Sequence, residues 1–275
     1  MSEAIINCKT NEYFRIENGN FSRVLTYPEY SIFRHTHEFV EINIVKSGSG
    51  YHTLSSNRIK VKAGDVFVIP SGVVHSYENE DSLCVYHIIV CDEFMSKYRE
   101  ELSSTPGYSV FFDIEPSFRS NTPNGWFLNV DAVTLRYIEG EIEKAAQAYS
   151  GSNYILNNVI TLNLICFLCC EMHKYMTQKS KILPVSDMSL IRALQFIEKN
   201  ISQKITVDEL SKMSNMSVST FNRHFRSSLG VTPAIYIIQK RVATAKKLIS
   251  ESSRTKTEIA QMCGFYDASH MEKYL

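Results

Sequence analysis

Long apolar runs are scarce in this sequence. The most apolar stretch, Val159 to Cys170, is interrupted by Asn163 and falls short of the ~20 residues that cross a bilayer, so no membrane span is expected. Met1 to Ile16 carries Glu3, Lys9, Glu12 and Arg15 and lacks the continuous apolar core of a secretory leader, which predicts a cytoplasmic protein. Glycine and proline are few, 11 and 7 in 275 residues, and this excludes a collagen-like or largely disordered chain. Seven cysteines cannot all pair. Three of them, Cys166, Cys169 and Cys170, crowd one helical segment, as expected of reduced thiols buried as small hydrophobes. Cys166 and Cys169 form a CxxC with no second ligand pair, which argues against a structural zinc.

Net charge is also absent, with 29 Lys+Arg against 29 Asp+Glu, but the balance hides an asymmetry. Residues 1–184 sum to −5 and residues 185–275 to +5. The length suits two domains, of which the second is basic and fits a polyanionic partner.

From Phe21 to Cys91 short β-branched and aromatic runs alternate with turn residues. The runs Val40 to Val45, Gly50 to Leu54, Arg58 to Val61, Val66 to Ile69 and Leu83 to Val90 predict strands. The breaks fall at Ser47 to Gly50, Ser55 to Asn57, Ala63 to Asp65 and Pro70 to Gly72. Many short strands at this spacing favour a β-barrel or jelly roll. Residues 92–129 read as loop, short helix and a last strand near Trp126 to Asn129. From Asp131 the period becomes helical, with Ser150-Gly151-Ser152 as a turn, giving an antiparallel helix pair over 131–177. Residues 178–187 read as a linker.

Within the β region stand His35, His37 and Glu41, then Gly48; later come Gly64, Pro70, Gly72, His75 and Asn79. Strand alternation places His35, His37, Phe39 and Glu41 on one face, the barrel interior. This pattern resembles the two motifs of the cupin superfamily. The second motif matches at every fixed position, and the first matches except that Glu29 stands in place of its leading glycine. The resemblance implies a pocket at His35, His37, Glu41 and His75, the positions that hold a divalent metal in cupin enzymes. A metal-free pocket that hydrogen-bonds an organic ligand is the favoured expectation, with no cofactor required; a divalent metal is the alternative. Phe33, Tyr51 and Tyr77 are candidate pocket walls.

The C-terminal part contains an internal repeat. Thr206-Val-Asp-Glu209 and Thr255-Lys-Thr-Glu258 both read as helix-opening capping boxes. Behind the first come Leu210, Met213, Asn215, Met216, Phe221, Arg223 and Phe225. Behind the second come Ile259, Met262, Gly264, Phe265, Met271, Lys273 and Leu275, with one residue gained in the turn. Asn215 and Gly264 fall where a positive φ is cheapest for their residue types. Two helix-turn-helix units are predicted.

These residues, with Leu229-Gly-Val-Thr-Pro233, Tyr236 and the segment Arg241 to Leu248, resemble the DNA-binding domain of AraC/XylS-type regulators over about Ile191 to the end. In the first unit the exposed helix face would present Ser219, Thr220, Asn222 and Arg223, with Arg223 suited to guanine and Asn222 to adenine. Arg226, Lys240 and Arg241 are candidate phosphate contacts. In the second unit the matching positions are Ala268, Ser269, Glu272 and Lys273, of which Glu272 is no candidate. Relatives of this type continue beyond the position of Leu275, so the second unit is expected to be incomplete.

The expected architecture is therefore an α+β multidomain chain. Residues 1–130 form the cupin-like sensor, 131–177 a dimerising helix pair, and 188–275 an all-α domain with two helix-turn-helix units. The resemblance implies a bacterial transcriptional activator, not an enzyme, acting as a homodimer on double-stranded DNA with RNA polymerase as partner. Its effector would be a small molecule such as a sugar or related carbon source. The rival expectation is a metal-dependent cupin enzyme or metal-responsive regulator.

Overall fold

The computed structural model describes residues 5–28, 32–54, 57–121, 127–179, 185–251 and 253–275 and divides into two compact units, 1–179 and 180–275. Unit one holds strands β1 (Ile6–Cys8), β2 (Ser22–Pro28), β3 (Ile32–His37), β4 (Val40–Leu54), β5 (Asn57–Lys62), β6 (Asp65–Ile69), β7 (His75–Val90) and β8 (Leu128–Asn129). The helices of unit one are α1 (Thr10–Tyr13), α2 (Asp92–Lys97), α3 (Arg99–Ser104), α4 (Glu115–Asn121), α5 (Ala132–Ser150) and α6 (Tyr154–Lys179), and a π-helical turn, Val110–Ile114, leads into α4.

The long strands β4 and β7 pair antiparallel along nearly their whole lengths. At one end they are flanked by β2 and β6, at the other by β3 and β5. The sheet bends between these two halves. The predicted break at Ser47 to Gly50 does not end the strand; the register slips there instead, between Val45 and Gly50. Gly48 at φ 74° faces Ser82 at φ 47°, and a side chain on Gly48 would strike the carbonyls of Asp81 and Ser82. Such bulges insert unpaired residues and bend a strand. They also exchange its faces: Glu41, Asn43 and Val45 point inward before the slip, and His52 and Leu54 after it. The apolar interior, Val45, Leu54, Val61, Phe67, Ile69, Tyr77, Leu83 and Val85, gathers around this bend.

Helix α6 is longer than its sequence reading. Within Tyr154–Gln178, 25 residues whose most apolar 18-residue window has a mean hydropathy of 1.7, it is long and apolar enough by length and composition to cross a membrane, which corrects the estimate made from Val159 to Cys170. Its buried polar residues give it another role. Ser22 Oγ of β2 donates to Asn158 Oδ1 at 2.9 Å, and Asn157 Nδ2 donates to the Ser22 carbonyl at 2.8 Å. Buried hydrogen-bonded amides of this kind fix a helix in one register on its sheet. Meanwhile Val133, Tyr137, Ile155, Leu156 and Val159 leave apolar surface exposed on the helix pair.

Unit two comprises α7 (Val185–Lys199), α8 (Val207–Met213), α9 (Val218–Leu229), α10 (Pro233–Glu251), α11 (Lys256–Met262) and α12 (Ala268–Glu272). The ends of the expected linker belong to α6 and α7, and residues 180–184 lie outside the described residues. Helix α7 buries Leu190, Ile191, Leu194 and Ile197. A second small core joins Ala245 of α10 to Ile259, Ala260, Cys263, Phe265 and Met271. Asn215 at φ 52° and Gly264 at φ 76° make the two turns, as their residue types predict.

Candidate functional sites

A cavity of about 340 Å³ enters unit one between β2 and β3. Its walls are largely apolar and aromatic, including Leu25, Tyr27, Phe33, Phe39 and Ile89, and its polar side is formed by His35, His37, Glu41 and His87. The corner between β3 and β4 keeps His37 and Glu41 together, with Glu41 Oε2 3.2 Å from His37 Nε2.

Backbone carbonyls fix the protons on three imidazoles. His35 Nδ1 lies 3.0 Å from the Phe33 carbonyl, His37 Nδ1 2.6 Å from that of Phe39, and His75 Nδ1 3.1 Å from that of Val73. A carbonyl oxygen only accepts, so each Nδ1 carries hydrogen, and in the neutral form of such a ring the lone pair is at Nε2. Both Nε2 atoms of His37 and His75 are buried and, among the described residues, neither has a hydrogen-bond partner, the 3.2 Å approach of Glu41 Oε2 to His37 lacking hydrogen-bond geometry. Burial pushes both rings below the ordinary histidine range, His75 to about 3. Burial alone would raise the Glu41 carboxyl, but the charge and hydrogen bond of His87, with His75 and His37 nearby, hold it well below the usual range. Ligand atoms of His35, Glu41 and His75 lie within 4.8 Å of one another. His37 is outside that group, so three of the four motif residues converge.

Phe33 stands at the mouth, 75% exposed. Tyr77 belongs to the apolar core, its ring 4.7 Å from that of His52, and does not line the cavity. Tyr51 is turned away from it. The bulge before this residue puts its ring outside the barrel, under the Arg58 guanidinium at 3.4 Å and near Glu80. Its expected role as a pocket wall is therefore corrected.

The motifs did not point to His52, His87 or Arg119. Arg119 of α4 is buried, donating to Glu115 Oε1 at 2.6 Å and to the Val68 carbonyl. Its Nη1 lies 3.4 Å from His52 Nδ1, which must therefore accept. Burial, then the Arg119 charge, drives the His52 ring well below its ordinary range. His87 had a signal in its spacing, since it stands an even number of residues beyond His75.

In unit two, Phe221 and Phe225 of α9 are buried, while Ser219, Thr220, Arg223 and Arg226 are exposed on the opposite side. Asn222 is half-buried and donates to the Val218 carbonyl at 2.9 Å. Together Asn222, Arg223, Arg226, Ser227 and Thr232 line a shallow cleft. The expected phosphate contact of Arg241 is corrected. Arg241 is buried, with Nε 3.0 Å from the Ile201 carbonyl and Nη2 2.6 Å from that of Gln203. Lys240 is drawn to Glu198 Oε1 at 2.9 Å, within its own unit. On α12, Ser269 and Lys273 are exposed, Ala268 is half-buried, and Glu272 is paired with Lys256 at 2.6 Å. Tyr266, the extra residue of the second turn, is 90% exposed and was not singled out by the sequence.

Residues 23–134 match the family described as the AraC-like ligand binding domain, and residues 210–275 match a helix-turn-helix domain. The HTH-type transcriptional activator RhaS of Klebsiella pneumoniae (strain 342) is 25% identical over 249 residues, covering 88% of this chain and 83% of the relative. The HTH-type transcriptional activator RhaR of Escherichia coli O139:H28 is 24% identical over 245 residues, covering 89% and 83%. Among solved structures, the DNA-binding domain of AdpA in complex with a target DNA is 28% identical, covers 31% of this chain and 78% of that chain, and has a TM-score of 0.31.

Proposed function

Because the chain belongs to the AraC/XylS family of transcriptional regulators, carrying a ligand-binding domain and a helix-turn-helix DNA-binding domain, we propose that it is a cytoplasmic, effector-controlled activator. The observation that carries the DNA role is α9: Arg223 and Arg226 lie exposed on a helix whose other side is anchored by buried Phe221 and Phe225. This is the presentation that reads base edges in a major groove. The barrel cavity would take the effector, with a sugar or related carbon source as the first class to screen. Occupancy would shift the population of states that can engage DNA and RNA polymerase. The exposed apolar residues of α5 and α6, Val133, Tyr137, Ile155, Leu156 and Val159, support a homodimer through the helix pair. Selection from a random-sequence duplex pool tests the DNA role directly. An enriched motif bound more tightly than scrambled duplex is expected, and equal affinity for both would reject this reading.

A second reading is favoured by the fixed imidazole protons. Ligand atoms of His35 and His75 converge with the Glu41 carboxylate, and each Nδ1 already faces a backbone carbonyl, which leaves Nε2 as the free donor. This is how ligating histidines are commonly oriented, and the mixed N/O donors suit a divalent ion such as iron, manganese, nickel or zinc. A resident ion would neutralise the buried carboxylate and accept a lone pair from an effector. Elemental mass spectrometry of the full chain, purified without chelator or histidine tag, is expected to find near-stoichiometric metal. A metal-free protein that takes up none of these ions would leave the organic pocket alone.

A further inference from the structure

We propose that His87 is a positioning residue for the cation, holding Glu41 by Oε1 so that Oε2 is the oxygen turned toward a bound divalent ion; this rests on the cation reading given above. An ionised carboxylate only accepts, so the 2.5 Å contact between His87 Nδ1 and Glu41 Oε1 is an N–H donated by the imidazole. Both residues are buried, at 3% and 4% exposure, so bulk water does not compete for that oxygen.

The imidazole is also locked. Its β7 position lies directly opposite Asn43 of β4, on the inward face shared with Glu41. The ring is flanked edge-to-face by Tyr27, with centroids at 5.0 Å and 79°, and by Tyr77 at 6.0 Å and 81°. His87 is not one of the three residues whose ligand atoms converge, so its effect on a cation would pass through Glu41. Without this hydrogen bond a buried carboxylate would be free to rotate and would lose an oriented acceptor site. Outer partners of this kind commonly change metal affinity by about 10- to 100-fold.

The experiment compares zinc affinity of the full chain, stripped by chelator and titrated against a chromophoric competitor, for the parent, His87→Leu and His87→Gln. Thermal melting of each stripped protein controls for folding. The expected result is a loss of about 10- to 100-fold for His87→Leu, with most of it recovered in His87→Gln, whose side-chain amide restores an N–H donor. Cobalt substituted for zinc should show a changed visible spectrum in His87→Leu and a near-parental one in His87→Gln. Parental zinc affinity in a folded His87→Leu protein would overturn the proposal even if its melting temperature had dropped, because that is the outcome of a merely structural role. If the folded parent itself takes up neither zinc, cobalt, manganese nor iron, the cation reading falls and this inference falls with it. Where leucine prevents folding, His87→Asn, whose amide is one methylene short, serves as the weakened variant against His87→Gln.

Discussion

The two helix-turn-helix units repeat one plan with different chemistry at each decision point. Both have a threonine at the start of the first helix, but only Thr255 completes the reciprocal arrangement. Its hydroxyl accepts from the Glu258 N–H, and the Glu258 carboxylate accepts from the Thr255 N–H at 2.8 Å. At Thr206 the hydroxyl accepts from the Glu209 N–H at 3.2 Å and no return bond is formed. The second helix opens on Ser217 in one unit and on Asp267 in the other. In the first helix-turn-helix α9 exposes Arg223 and Arg226, whereas in the second α12 and the residue that follows it expose Glu272 and Lys273, after the inserted Tyr266. The repeat therefore keeps the packing plan while the exposed charge diverges, with two arginines on α9 against one glutamate and one lysine at the end of α12.

The contrast is sharpest at the turns. Gly264 abuts the Ile201 carbonyl and the Arg241 guanidinium, where an added Cβ would meet Nη2 at 2.9 Å, whereas Asn215 tolerates its own side chain at a similar φ. Gly264→Val should cost about 3 kcal/mol or more through positive φ and overpacking, read as a lowered denaturation midpoint. A loss below ~0.5 kcal/mol would erase the distinction between the turns. Arg223→Ala should lower affinity for the selected duplex by about 1 to 3 kcal/mol and relax its sequence preference, while Lys273→Ala changes it by less than ~0.5 kcal/mol. Equal effects on selected and scrambled duplexes would remove Arg223 from base reading.

Smaller effects come next. Thr255→Ala should destabilise by about 1 to 2 kcal/mol and Thr206→Ala by about 0.5 to 1 kcal/mol, since only the former breaks a complete box. The reverse order in chemical denaturation would contradict the described caps. Least of all, Lys240→Ala should leave the salt dependence of DNA binding nearly unchanged, because its ammonium is committed to Glu198. A slope reduced by about one would return this lysine to the phosphate contacts.

Much of this was legible in the residues themselves. The HxH pair, Glu41 and His75 predicted a cluster, and the barrel brings His35, Glu41 and His75 together. The repeat predicted both turns and the buried face of α9. What escaped depended on pairing between distant segments. The slip in β4 could not be read from Ser47-Gly-Ser-Gly50, so Tyr51 was assigned to the wrong face. His87 gains its importance from Glu41 on the neighbouring strand, and no local pattern announces that contact. Arg241 looks like a free cation in sequence because its acceptors are backbone carbonyls at Ile201 and Gln203, which no residue type reveals.

Arg241 has a wider consequence. Its guanidinium joins the segment ahead of the first unit to α10, and Gly264 lets the second turn close on the same spot. The two helix-turn-helix units are thereby set on a ruler rather than a tether. Duplexes whose two contact sites are displaced by a few base pairs would have to overwind or unwind to be read, and the protein would meter that torsion as lost affinity.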